Sequence, residues 1–256
     1  MEFISIKSPR EMEQMRRACR LTAAARALAG SMVRPGVSTL EIDTAVRKFI
    51  ENHGAKPSFL GYGGFPGSAC ISINEVVIHG IPDHRKLKEG DIVSVDVGAF
   101  LDGFHGDCAA TYACGTISEE AERLIAVTQQ SFWEGIQFAR SGNRISDIGH
   151  AVQQYVERNG FSVVRDFVGH GVGHKLHEAP EVPNYGAAGH GARLQPGMTL
   201  AVEPMVCAGH WEVRVLQDKW TTVTADGSLA AHYENSILVT DGEPEILTVT
   251  EDGAYV

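Results

Sequence analysis

The chain contains much of itself twice, and this constrains its fold more than any other feature. Residues 34–54 (RPGVSTLEIDTAVRKFIENHG) align with residues 140–160 (RSGNRISDIGHAVQQYVERNG), with Arg, Gly, Ile, Ala, Val, Glu and Gly recurring in register. Further on, LKEGDIVSVDV (Leu87–Val97) aligns with LQPGMTLAVEP (Leu194–Pro204), matching Gly90 to Gly197 and Asp96 to Glu203. The two blocks recur 106 and 107 residues on (Arg34 to Arg140, Leu87 to Leu194), so a single slip reconciles them. Chance similarity of composition does not keep one offset across separated blocks; duplication does. The expectation is one catalytic domain over residues 1–256, of α/β (α+β) class, with pseudo-symmetric halves at about 10–115 and 116–250.

The local pattern supports this. Residues from about Arg10 to Met32 carry Met12, Met15, Cys19, Thr22, Ala25 and Leu28 on one helical stripe. A second helix opens at Ser38-Thr-Leu-Glu41, the spacing of a capping box, and stops at Gly54. A third starts near Ser118 and a fourth runs from about Ser146 to Gly160. Strands are expected around Ile71–Ile78, Asp91–Gly98, Met198–Val202 and Ile237–Val239.

Side chains alternate across a strand. Val93, Val95 and Val97 therefore share one face and turn Ser94 and Asp96 to the other; Met198, Leu200 and Val202 do the same for Thr199, Ala201 and Glu203. Two equivalent strands each turn a carboxylate away from the apolar side, and an approximate two-fold brings such carboxylates together. Asp107, in DGFHGD, where two glycines and two acids crowd a turn leading into a strand, and Glu234, entering the apolar strand of HYENSILV, extend the set. Singly, each acid has an ordinary alternative: Asp102 shapes the turn, and a lone Glu at a strand end is usually solvated. Three of the eleven histidines stand out: His79 in VVIHGIP, His170 among the glycines of VGHGVGH, and His177 in KLHEAP. His174 shares the glycine-rich loop and stays ambiguous; the others are read as surface or hydrogen-bonded residues. Carboxylates with one imidazole suit Mn²⁺, Fe²⁺, Co²⁺ or Zn²⁺. A pair of such ions roughly 3.5–4 Å apart generates hydroxide near neutral pH.

Other chemistries lack their motifs. There is no Gly-x-Ser-x-Gly, no Gly-x-x-x-x-Gly-Lys-Ser/Thr, and His174–Glu178 reads His-x-x-His-Glu rather than His-Glu-x-x-His. The formal charge of −10 argues against nucleic-acid or anionic-membrane partners. The five cysteines (Cys19, Cys70, Cys108, Cys114, Cys207) are odd in number and never spaced Cys-x-x-Cys, which points to a reducing cytoplasm. The start lacks a signal-peptide core, and no apolar run reaches membrane-spanning length.

In the segments Ser58–Pro82, Gly90–Asp107, Gly169–Gly186, Leu200–Pro204 and His232–Ser236, taken in that order, the sequence resembles the type I (bacterial) methionine aminopeptidases over nearly its whole length. The resemblance implies the pita-bread fold and two divalent metal ions. It implies Asp96, Asp107, His170, Glu203 and Glu234 as ligands, with Asp107 and Glu234 bridging. It implies Glu203 as proton shuttle and His79 and His177 as catalytic, substrate-contacting residues, with Tyr62, Phe65, Cys70 and Trp220 lining a methionine pocket. The implied reaction removes the initiator methionine from nascent polypeptide N-termini when the second residue is small. The expected setting is a cytoplasmic monomer in transient contact with the ribosome. Phe65, Leu176 and Gly98 depart from the residues frequent in that family, which bears on pocket shape. Two rivals are an X-Pro peptidase, which usually carries a large extra amino-terminal domain, and an inactive scaffold, which would have lost ligands.

Overall fold

A computed structural model describes residues 3–250; residues 1, 2 and 251–256, which include the outer bounds of the expected domain, lie outside it. Four helices form where the sequence places them: α1 (Pro9–Ser31), α2 (Thr39–Asn52), α3 (Glu119–Ile136) and α4 (Ile145–Arg158). The α2 capping box is present, Ser38 N–H donating to Glu41 at 2.8 Å while the Ser38 side chain accepts from Glu41 N–H. In α4 the same acidic position serves alone: Arg144 N–H donates to Asp147 at 2.8 Å.

The central antiparallel sheet holds, in spatial order, β1 (Lys56–Pro57), β4 (Ile92–Leu101), β5 (Phe104–Ala113), β14 (Glu234–Leu238), β9 (Thr199–Val202), β7 (Gly169–Gly171) and β8 (Glu178–Val182). Off this path, β2 (Ala69–Ile73) pairs with β4 and β15 (Glu245–Ile246) with β14. Two three-stranded sheets complete the fold. One orders β13 (Ala230–His232), β10 (Met205–Cys207) and β6 (Ser162–Val163); the other orders β11 (Val213–Val215), β12 (Thr222–Thr224) and β3 (Val76–Ile78). The run expected as one strand at Ile71–Ile78 is thus two, β2 and β3. Asn74, at φ 57°, turns the chain between them, a conformation asparagine tolerates better than most residues.

The sheet order is symmetric about the β5–β14 seam, placing β4 opposite β9 in the pattern, as the repeat requires. Finer details obey the same offsets. Isolated bridges join Ser38 to Lys86 in one half and Arg144 to Arg193 in the other. Gly36 and Gly142 turn with φ of 90° and 91°, and Gly90 and Gly197 both with 91°. The apolar strand faces bury as expected: Val93, Val95 and Val97 pack with Ile42, Val46 and Ile50 of α2, while Met198, Leu200 and Val202 pack with Phe132, Ile136 and Ile148 of α3 and α4. At about 1.5–3 kcal/mol for each large aliphatic side chain buried, these layers hold the sheet's two sides in place and leave the opposite face to the carboxylates. Small residues let α1 lie close on β4 and β5. At Gly106 an added Cβ would stand 2.8 Å from Cys19 Cα and 3.0 Å from the Ala18 carbonyl oxygen.

Candidate metal centre and substrate pocket

Five adjacent strands each deliver one donor residue. Asp96 lies on β4, Asp107 on β5, Glu234 opens β14, Glu203 directly follows β9, and His170 lies on β7. The register aligns them: Asp96 faces Ala109, Ala109 faces Glu234, Asp107 faces Gly98, and His170 faces Ala201, two residues before Glu203. DGFHGD is a turn leading into a strand, as the sequence suggests, but the turn is shorter than six residues. Only Asp102 and Gly103 turn, with φ of 52° and 88°, as a two-residue Asp-Gly hairpin; the ladder resumes at Phe104 and puts Asp107 well inside β5.

Water is largely removed from this cluster: Asp107 is 4% and Glu234 2% exposed. Burial pushes the Asp96 carboxyl up to about 7 and holds Asp107, Glu203 and Glu234 well above the usual carboxylate range. For Asp107 and Glu234 the neighbouring carboxylates add to the effect of burial. His170 behaves differently. Its Nδ1–H donates to the Gly171 carbonyl at 2.8 Å, which leaves Nε2 a bare lone pair. That nitrogen sits 3.7 Å from Asp107 Oδ2 and 3.5 Å from Glu203 Oε1. These are not ion pairs, because burial lowers the imidazole's pKa to about 3 and keeps it neutral.

Lone pairs therefore face lone pairs. Asp96 Oδ1, Asp107 Oδ1 and Glu234 Oε1 are buried without any hydrogen-bond partner. Carboxyl oxygens and imidazole nitrogens packed together with no donor from other side chains must either keep protons or take up cations, so these residues fit divalent metal. Their atoms form two groups sharing Glu234: Asp107, His170 and Glu234, and Asp96, His232 and Glu234, each with its ligand atoms within 4.8 Å of one another. Two overlapping groups match a dinuclear site.

Beside the cage opens a pocket of about 170 Å³, lined by all eleven residues singled out in the sequence. Phe65 is buried and meets Trp220 edge-on at 5.2 Å; Cys70 is buried beside them. His79, held at φ 59°, meets Phe167 and Trp220 edge-on, and burial lowers its pKa to about 4. The His177 ring lies 4.1 Å from that of His170, tilted by 49°, and its Nδ1 lies 2.8 Å from Tyr62 Oη. Desolvation lowers the His177 pKa as well. The departures at Gly98 and Leu176 bear on this wall. Leu176 is buried against Phe59 and Phe65, and a Cβ at Gly98 would stand 2.7 Å from the Phe59 ring, so glycine lets that ring sit where it lines the pocket.

Sequence reasoning missed Phe59, Phe167 and above all His232. Grouped with the surface or hydrogen-bonded histidines, His232 is 2% exposed and its Nε2 has no hydrogen-bond partner. Strand periodicity could have found it, since His232 and Glu234 are two residues apart and Glu234 was already chosen. His174, left ambiguous, turns away from the cage: Nδ1 lies 3.0 Å from the Gly103 carbonyl oxygen and Nε2 3.3 Å from Glu11.

A carboxylate cage straddling the seam of two related halves, with an apolar slot at its side, defines a metallopeptidase of the pita-bread fold. The profile of Metallopeptidase family M24 matches residues 13–241. Over 247 residues the chain is 54% identical to the methionine aminopeptidase of Clostridium perfringens, covering 96% of this chain and 99% of that protein. It is similar to the crystal structure of methionine aminopeptidase from Rickettsia prowazekii, with a TM-score of 0.95 at 42% identity over 96% of this chain and 100% of that one. The prolidase from Pyrococcus furiosus shares the fold alone, at TM-score 0.79 and 21% identity over 96% of this chain and 66% of that one. The chain belongs to metallopeptidase family M24, in its type I methionine aminopeptidase branch.

Proposed function

We propose that this chain acts as a single catalytic unit that removes the N-terminal methionine from new polypeptides whose second residue is small. The observation that carries the reading is the delivery of five donors, one from each of five adjacent strands, to one buried cage at the wall of an apolar pocket. Asp96, Asp107, His170, Glu203 and Glu234 would hold two divalent ions. The donor set suits Mn²⁺, Fe²⁺, Co²⁺ or Zn²⁺. When bound, the ions supply Lewis acidity and activate water near neutral pH.

The protein's own groups do the rest. Phe59, Phe65, Cys70, Leu176 and Trp220 offer apolar and aromatic surface to a thioether, a favourable contact for methionine. Glu203, at the pocket wall, takes a proton at a carboxylate oxygen and returns it to the leaving amine. When Tyr62 Oη donates to His177 Nδ1, the remaining ring proton sits on Nε2 and donates to the carbonyl oxygen as negative charge develops there. His79, kept neutral by burial between aromatic edges, orients the peptide through a hydrogen bond.

The enzyme is read as a cytoplasmic monomer that meets its substrates at the ribosome. Five buried, unpaired cysteines support a reducing compartment. Among the described residues no helix is long and apolar enough to cross a membrane. The test is a Met-X-Ser peptide panel with varied X, run with and without chelator, beside an X-Pro peptide. Release of methionine from Met-Ala-Ser, lost on chelation and poor for bulky X, is the expected result. Preferential X-Pro cleavage, or methionine release that survives chelation, would defeat the reading.

A further inference from the structure

The motif at the β13–β14 junction brings a second imidazole to the cage. His232 ends β13 and Glu234 opens β14, so one strand period puts both side chains on the same side of the chain. The His232 backbone is clamped in both directions by one side chain. Its N–H donates to Thr111 Oγ1 at 2.9 Å, and the same hydroxyl donates to the His232 carbonyl at 2.9 Å. Ser94 Oγ lies 2.7 Å from Thr111 Oγ1 and steadies that hydroxyl from the next strand.

Held in this way, His232 Nε2 stands 3.7 Å from Glu203 Oε2 and 3.8 Å from Glu234 Oε2. An imidazole N–H engaged to a carboxylate would lie closer than about 3.2 Å. The two separations instead match those of His170 Nε2, at 3.7 and 3.5 Å from its own two carboxylate oxygens. Each nitrogen keeps a spacing wider than a hydrogen bond but short enough for nitrogen and oxygens to converge on one cation between them. His232 Nε2 is also buried and, among the described residues, has no hydrogen-bond partner.

His232, Asp96 and Glu234 offer ligand atoms that all lie within 4.8 Å of one another, and we infer that His232 is a sixth protein ligand, giving the ion on that side an imidazole donor and making each ion of the pair nitrogen-bound. The inference rests on the dinuclear reading above and adds a ligand to it. A second borderline nitrogen in place of an oxygen or water biases that ion toward Co²⁺, Fe²⁺ or Zn²⁺ and away from Mn²⁺.

The test loads the chelator-treated full chain with Co²⁺ and counts metal-bound histidine rings by proton NMR. Such ring protons are hyperfine-shifted and are recognised by their loss when histidine is ring-deuterated. Wild type should show two coordinated rings. His232→Gln should show one, with Co²⁺ binding weakened at least about tenfold at one of two sites and little change at the other. A single coordinated ring in wild type carrying two Co²⁺ ions overturns the sixth ligand and leaves the dinuclear reading intact. Failure to bind two ions overturns the dinuclear reading itself. The wild-type count stands even where His232→Gln does not fold.

Discussion

Glu234→Gln should stabilise the metal-free protein while crippling the metal-loaded one. Glu234 is 2% exposed, and its pKa is raised first by burial and then by Asp107, Glu203 and Asp96. Without metal the folded cage holds protons that the unfolded chain releases near pH 4, so the unfolded state binds fewer protons and stability falls as pH rises. Each retained proton costs about 1.4 kcal/mol per pH unit. Near pH 7 Asp96 is about half ionised, and every further proton lost leaves another charge in a crowded, desolvated space. A glutamine at 234 has neither proton to lose nor charge to bury. Urea unfolding after exhaustive chelation, at about pH 7 and about pH 8, should find the variant more stable than wild type by roughly 1–3 kcal/mol, with a flatter pH dependence. Groups remote from the cage titrate alike in both proteins, so the difference reports the cage and the groups that feel Glu234, Cys70 among them. Saturating Co²⁺ should reverse the order, because binding at about a hundred times Kd adds roughly 2.7 kcal/mol to wild type and little to the variant. A metal-free variant less stable than wild type at about pH 8, with an unchanged slope, would show that the cage carries no electrostatic strain.

Trp220→Ala removes the ring set edge-on to Phe65 and His79; a KM for Met-Ala-Ser raised about tenfold, with kcat reduced less, would follow from about 1–1.5 kcal/mol of lost aromatic contact. Tyr62→Phe frees His177 Nδ1 and its tautomer, so kcat should drop by roughly tenfold with KM little changed, measured by steady-state kinetics on the same peptide. Gly106→Ala drives a methyl group into the α1 backbone at Cys19 and should destabilise the fold by about 1–3 kcal/mol in urea unfolding, with activity per folded molecule retained.

The repeat made the fold legible. Its offsets recur in the bridges at Ser38–Lys86 and Arg144–Arg193 and in the paired glycine turns, so the pseudo-two-fold could be read before any coordinate. Strand alternation placed Asp96 and Glu203 correctly because the valines behind Asp96 and the Met-Leu-Val set behind Glu203 needed burial. The turn ahead of Asp107 was read too long, because two acids and two glycines in six residues look alike in composition. Only the φ values tell which pair bends the chain. His232 was overlooked since a histidine's meaning lies in what faces its ring nitrogens: Glu234, two residues on, could be named from strand periodicity, whereas Glu203 comes from a distant part of the sequence. The pocket wall formed by Phe59 and Phe167 depends on loop packing, which no periodicity announces.

The seam between the halves is narrow: β5 and β14 share only the Ala109–Glu234 and Cys108–Asn235 ladder pairs. The fully buried Arg26 staples it by donating to the carbonyls of Ala109 and Glu234, and Ser236 exchanges hydrogen bonds with the Asp107 backbone. Asp96 and Asp107 come from one side of that join, and His170, Glu203 and Glu234 from the other. Neither side alone supplies either three-residue group of the cage, since each needs one aspartate from the first half beside residues of the second. A half-length ancestor would have gained catalysis only on meeting its own twin, so fusing the two copies into one chain secured a reactive centre that dilution could otherwise have abolished.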